Sequence, residues 1–142
     1  MATRARVDDA EYARLLARRA ELRRFQQWSA KQARQLGMTP QQHQVLLAVR
    51  GHHERSGPTI SDVAKYLLVR HNTAVELVDR TADLGLVERV SDGSDQRVVR
   101  LRLTVEGRRR LAALAEAHIE ELARLTPLVE HLTGEIGTAA AD

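Results

Sequence analysis

Apolar residues recur at three- and four-residue intervals from Asp8 or Asp9 to Gln35, as Tyr12, Leu15, Leu16, Leu22, Phe25, Trp28 and then Leu36, with arginines and glutamates between them. This spacing predicts one long amphipathic helix that ends at Gly37. Thr39-Pro40-Gln41-Gln42 then supplies a capping hydroxyl, a proline at the first helical position and a glutamine three residues after the cap, so a second helix follows through Val45, Leu46 and Val49. The run GHHERSGP, residues 51–58, reads as a loop. Thr59 caps a short third helix, with Asp62 in its first turn and Ile60, Val63, Ala64 and Leu67 facing inward, and Val69-Arg70 breaks it. A fourth helix, HNTAVELVDRTADL, puts Ala74, Leu77, Val78, Thr81 and Leu84 on one stripe before Gly85.

After Gly85 the period changes from helical to alternating. In VVRLRL, Val99, Leu101 and Leu103 fall on one face and Val98, Arg100 and Arg102 on the other; Leu86 to Val90 supplies a partner strand, and SDGSDQR is the turn between them. Thr104 caps a fifth helix with a stripe of Leu111, Leu114, Ala115, His118, Leu122 and Leu125. Thr126-Pro127 repeats the cap-then-proline pattern and predicts a last short helix with Leu128, Val129 and Leu132, before a frayed GTAAAD tail. The expected fold class is mainly α (α+β), organised as an N-terminal arm (1–37), a winged helix-turn-helix (38–103) and a C-terminal arm (104–142).

Composition narrows the chemistry. The chain has 142 residues, enough for one domain plus an oligomerisation element, and 22 basic against 19 acidic groups. Only Lys31 and Lys65 are lysines, so nearly every cation is an arginine, whose planar fork suits phosphates and guanine edges. Cysteine is absent, which removes disulfides, thiolate catalysis and cysteine metal sites. No run approaches the ~20 apolar residues of a membrane span, and MATRARVDDAEYARLL carries charges where a signal peptide is apolar, so a cytoplasmic protein without membrane contact is expected.

Two short helices joined by a tight break and followed by a hairpin point to double-stranded DNA as the partner. At the N-terminal end of the fourth helix lie Arg70, His71, Asn72, Thr73 and Glu76, with Arg80 further along, donors and acceptors of the kinds that read base edges in a major groove. Polar residues that merely solvate an exposed helix would look similar in isolation; the hairpin that follows favours recognition. There Arg97, Arg100 and Arg102 are placed for phosphates or the minor groove, and Asp95 is positioned to pair with Arg97 and hold it in one orientation.

Other chemistries find less support. His52-His53-Glu54 is the tightest histidine cluster, but adjacent residues diverge on a helix and no spaced partner completes a ligand set, so a solvated loop is preferred to a metal-responsive site, and His118 and His131 are assigned to an interface. No Gly-x-Ser-x-Gly, His-Glu-x-x-His or phosphate-binding glycine loop is present; no enzymatic activity and no cofactor are expected. A winged-helix module for architecture or protein contacts, without ligand response, is the main alternative to a regulator.

The runs TISDVAKYLLVRHNTAVELVDR, LGLVERVSDGSDQRVVRLRLT and TVEGRR resemble the multiple-antibiotic-resistance-regulator (MarR) family of transcription factors, from about Met38 to Arg110 with a compatible helical arm at each end. The most specific piece is Asp95-x-Arg97, after Gly85-Leu86-Val87-x-Arg89 and before Leu103-Thr104-x-x-Gly107; Thr81 departs from a position where the family often has leucine. The resemblance implies a homodimer with intertwined terminal helices, a recognition helix from His71 to Leu84, a wing arginine at Arg97, a pseudo-palindromic operator, and repression relieved by a small-molecule effector of unknown identity. The arms support pairing independently: alone, the first helix would expose Leu15, Leu16, Leu22, Phe25 and Trp28, each worth ~1.5–3 kcal/mol when buried. Tyr12, Phe25 and Trp28 are the residues of that helix placed nearest to an effector pocket, though each also suits plain core.

Overall fold

The computed structural model describes residues 6–93, 95 and 97–138, with side chains as far as Leu125. In chain order the elements are α1 (Asp9–Gln35), α2 (Pro40–Gly51), α3 (Ile60–Leu67), α4 (His71–Asp83), β1 (Val87–Ser91), β2 (Val99–Leu103) and α5 (Val105–Thr138). They form two compact units: residues 30–116, and residues 1–29 together with 117–142. The long terminal helices thus each contribute to both units.

The caps form as their residue types dictate. Thr39 Oγ1 accepts the backbone N–H of Gln42 while Gln42 Oε1 accepts that of Thr39, and Thr59 and Asp62 make the same reciprocal pair at α3. Those bonds, with the backbone N–H of Thr59 the largest cause, hold the Asp62 carboxyl below its ordinary pKa. The break after α3 comes one residue earlier than predicted: Leu68 adopts a left-handed conformation (φ 56°), at 90% exposure. This reverses the chain between α3 and α4 without a glycine.

The core of the 30–116 unit gathers Val45, Leu46, Val63, Val78, Leu86 and Leu101, joined by Ala33 from α1 and by Leu111 and Leu114 from α5. Thr81, the polar member of the α4 stripe, is fully buried with its hydroxyl donated to the Leu77 carbonyl at 2.7 Å, so the departure from leucine leaves no unsatisfied group. Leu84 does not continue that stripe; it caps the helix and is exposed.

β1 and β2 pair antiparallel, with Val87 opposite Leu103 and Arg89 opposite Leu101. Leu101 and Leu103 are buried, whereas Val99, predicted on the same face, is exposed because the hairpin by then projects beyond the core. On its other edge β2 is clasped by the loop before α3: the Leu101 N–H donates to the Pro58 carbonyl, and Gly57 (φ 88°) approaches so closely that a Cβ there would lie 2.1 Å from the Leu101 carbonyl oxygen. α5 docks on the end of α4 in the same way. Thr104 donates its N–H to the Leu86 carbonyl and its hydroxyl to the Gly85 carbonyl, and Gly107 packs directly on the Leu86 carbonyl.

α5 runs through Thr126-Pro127 as one helix, so the predicted separate last helix does not form. Proline's fixed φ is helical and its missing N–H forfeits one bond, while alanine, leucine, glutamate and arginine on its N-terminal side carry the helix forward. The predicted inward set Leu128, Val129 and Leu132 lies outside the described side chains, as does His131. Among the described residues no helix is long and apolar enough to cross a membrane.

Candidate nucleic-acid interface

α4 is amphipathic about its own axis. At 100° per residue, Asn72, Thr73, Glu76 and Arg80 fall within an arc of about 100°, opposite a buried stripe of Ala74, Leu77, Val78 and Thr81. All of Arg70, His71, Asn72, Thr73, Glu76 and Arg80 are exposed; Arg70 and His71 sit at the N-terminal edge of the polar stripe, with His71 Nδ1 3.5 Å from the Ser61 hydroxyl. Unlike α2 and α3, α4 has no side-chain cap from its N-cap residue, Arg70, and unlike α3 it has no acidic residue in its first turn. Its N-terminal backbone N–H groups and the positive end of its dipole are therefore left for an outside acceptor such as a phosphate.

The hairpin turns between Ser91 and Val99, the place that SDGSDQR predicts. It is closed by Asp92 N–H to the Val98 carbonyl and Val98 N–H to the Asp95 carbonyl. At its tip Asp95 Oδ1 accepts the Arg97 backbone N–H at 3.0 Å and lies 3.4 Å from Arg97 Nε. The Arg97 guanidinium is otherwise held out, with the side chain 92% exposed. Arg102, also exposed, pairs across the strands with Glu88.

Arg100 behaves differently from its grouping with the wing cations. Its side chain is 18% exposed, and its guanidinium donates to Asp92 at 3.0 Å and to the Gly57 carbonyl at 3.0 Å, with Glu54 Oε2 at 3.5 Å. The Asp92 bond raises its pKa further. Alternation along β2 correctly put Arg100 opposite Leu101; what it did not reveal is that the clasping loop passes over that face and takes up the side chain. Arg100 braces the wing and is not a free phosphate ligand. Arg89, quoted in the sequence motif without a role, pairs with Asp79 and so ties β1 to α4. The two braces join residues 8 to 43 positions apart, and no helix or strand spacing marks them.

The aromatic residues of α1 separate. Trp28 packs on His118 with ring centroids 4.8 Å apart, Phe25 meets the same ring edge-on at 6.2 Å, and the Ser29 hydroxyl lies 2.7 Å from His118 Nε2. Tyr12 is exposed, and 13 residues along the helix from Phe25 put it about 20 Å away, so it does not share a pocket with the other two. The loop His52 is not solvated either. Its side chain is 2% exposed, tilted against the His53 ring and edge-on to that of Tyr66.

Comparison with known proteins places this geometry. Residues 36–98, from the start of α2 to the wing loop, match the model of the MarR family. The uncharacterized HTH-type transcriptional regulator YsmB of Bacillus subtilis (strain 168) is 35% identical over 75 residues, which are 53% of this chain, and the match spans about half (49%) of that relative's length. In fold, the chain is similar to S. aureus MepR in its DNA complex (TM-score 0.68, 19% identity, covering 96% of this chain and 98% of that one). It is likewise similar to CouR from Rhodococcus jostii RHA1 bound to p-coumaroyl-CoA (TM-score 0.69, 23% identity, 94% and 93%). The matched segment carries α2, α3, α4 and β1 of a winged helix-turn-helix, and over that segment the chain is similar to the MarR family.

Proposed function

We propose that this protein is a homodimeric DNA-binding transcriptional repressor that acts in the cytoplasm and is released from a pseudo-palindromic operator by a small-molecule effector. The observation that carries the reading is the exposed polar stripe of α4, uncapped at its N-terminus, in the same compact unit as a wing that holds Arg97 outward. Asn72, Thr73, Glu76 and Arg80 read base edges, Arg70 and His71 meet the backbone at the helix N-terminus, and Arg97, oriented by Asp95, enters the neighbouring minor groove or its phosphates. Arg100 serves indirectly, by holding the wing.

Pairing is supported by the second unit. Among its described residues none is buried, and Leu15, Leu16 and Leu22 of α1 and Ile119 of α5 stand exposed. A second copy laid against these helices removes that apolar surface from water. CouR with its bound p-coumaroyl-CoA supports small-molecule binding as open to this fold.

Selection of bound sequences from a randomised duplex library, followed by fluorescence anisotropy, tests the reading. Arg97→Ala should weaken binding to all duplexes alike and lower the slope of log K against log[salt] by about one ion, whereas Asn72→Ala or Thr73→Ala should change the selected bases. An unchanged affinity and salt slope in Arg97→Ala would remove the wing from the interface. Absence of duplex binding by the dimer at low salt would remove the function.

A further inference from the structure

We propose that His52, His53 and Glu54, backed by Asp62, form a binding site for a divalent transition metal of the zinc class. The loop that carries them follows α2, and the turn into α3 brings Asp62 alongside although it is ten positions from His52. His52 is the anchor: its side chain is 2% exposed, and its Nε2 is buried without a hydrogen-bond partner. A buried ring nitrogen facing no partner is costly unless something completes it. Here Nε2 faces Glu54 Oε1 at 3.8 Å and Asp62 Oδ2 at 3.9 Å, and His53 Nε2 lies 3.4 Å from Glu54 Oε1. The donor atoms of His52, His53 and Glu54 all fall within 4.8 Å of one another.

Separations of 3.8 and 3.9 Å are too long for hydrogen bonds but close to what a shared ion needs. With metal–ligand distances of about 2.0–2.1 Å in a tetrahedron, donor atoms sit about 3.3–3.4 Å apart. Closing the widest separation, up to 4.8 Å, needs a movement of about 1–1.5 Å, which is open to His53 and Glu54, both exposed on the loop. The outer partner is already in place: His52 Nδ1 lies 2.8 Å from the Tyr66 hydroxyl, and with Nδ1–H donated there the Nε2 lone pair is left for a metal. Asp62 Oδ2 accepts the Thr59 N–H at 3.0 Å, and a carboxylate oxygen has a second lone pair to offer an ion. Two imidazoles with carboxylates favour zinc, cobalt or nickel over calcium or magnesium. His52, His53 and Glu54 also line a cleft of about 410 Å³, which gives an ion its approach.

The site is connected to the wing. Glu54 presents Oε1 to the histidines and Oε2 to Arg100, which in turn holds Asp92 at the base of the wing loop. An ion on Oε1 draws charge away from Arg100 and so weakens one of the contacts that brace the wing. This consequence rests on the DNA-binding reading; the site itself does not.

The test is titration of the full-length, chelator-stripped protein with Co²⁺, followed by the visible d–d absorption of a four-coordinate ion and by Zn²⁺ displacement, without DNA. One Co²⁺ per chain is expected. His53→Ala and Glu54→Gln, surface changes that leave the core intact, should each weaken it by about tenfold or more, while His118→Gln should leave it unchanged. Lack of saturable uptake overturns the site, and so does uptake of equal affinity in His53→Ala and Glu54→Gln. Operator affinity measured with and without Zn²⁺ then tests the link to the wing separately, since a metal that binds without altering DNA affinity refutes only that link.

Discussion

Replacing Gly107 with alanine sets two physical effects against each other. Gly107 lies in the first turn of α5, and helix propensity alone predicts that alanine stabilises the protein by about 1 kcal/mol. Packing predicts the opposite: the new Cβ would lie 2.0 Å from the Leu86 carbonyl oxygen and 3.0 Å from its carbon, so the helix must retreat by about 1 Å or more. That retreat breaks the 3.1 Å bond from Thr104 N–H to the same carbonyl and strains the 2.6 Å bond from the Thr104 hydroxyl to Gly85, at about 1 kcal/mol each. It also loosens Leu111 and Leu114 in the core, at about 1–3 kcal/mol. Net of propensity, the expected loss is about 2–4 kcal/mol, a fall in Tm of roughly 5–15 °C. Urea and thermal unfolding followed by far-UV circular dichroism measure it. Gly51→Ala is the control: nothing lies within 4 Å of the added Cβ at the end of α2, so the expected change is a gain of a few tenths of a kcal/mol. A Gly107→Ala protein as stable as the parent, or more so, would refute the account of how α5 is seated.

Two further predictions use the same assays. Leu68→Gly relieves a left-handed leucine that costs about 1–2 kcal/mol and loses no buried surface; after the greater freedom of glycine in the unfolded chain, a gain of about 0.5–1 kcal/mol is expected, and a lower Tm would count against strain at this turn. Glu106 is held down from 4.5 to about 2 by hydrogen bonds from Arg109 and then Arg110, so the stability it contributes is present above its ordinary pKa and is lost as pH falls through about 2. Urea midpoints of the parent and Glu106→Gln should differ by a constant amount near neutral pH and converge between pH 4.5 and 2, and a gap that persists at pH 2 would show the pairing to be unimportant.

Much of this protein is legible along the chain because its signals are local. The capping residues Thr39/Gln42 and Thr59/Asp62, the α4 stripe and the change to alternation after Gly85 all act within a turn or two, and the elements follow from them. The exposed face of α4 is legible for the same reason: once Ala74, Leu77, Val78 and Thr81 are inward, Asn72, Thr73, Glu76 and Arg80 have no other direction. Local cues failed where they compete with propagation, as at Pro127, where the cap-then-proline pattern did not interrupt a helix already under way.

Residue type and spacing alone determined which segments are helix or strand and which side of each seeks the core, since those choices depend on neighbours three or four positions away. Only the tertiary structure decided the fate of side chains that meet across the fold. Arg100 and Arg97 look alike in the sequence, yet one is taken up by Asp92, Gly57 and Glu54 and the other stands in solvent. His52 looks like part of a polar loop, yet Tyr66 and Asp62, brought beside it by the turn into α3, enclose it. The physical reason is common to both: burial of a charged or polar group is set by contacts between segments remote in the chain, and those contacts exist only once the elements have packed.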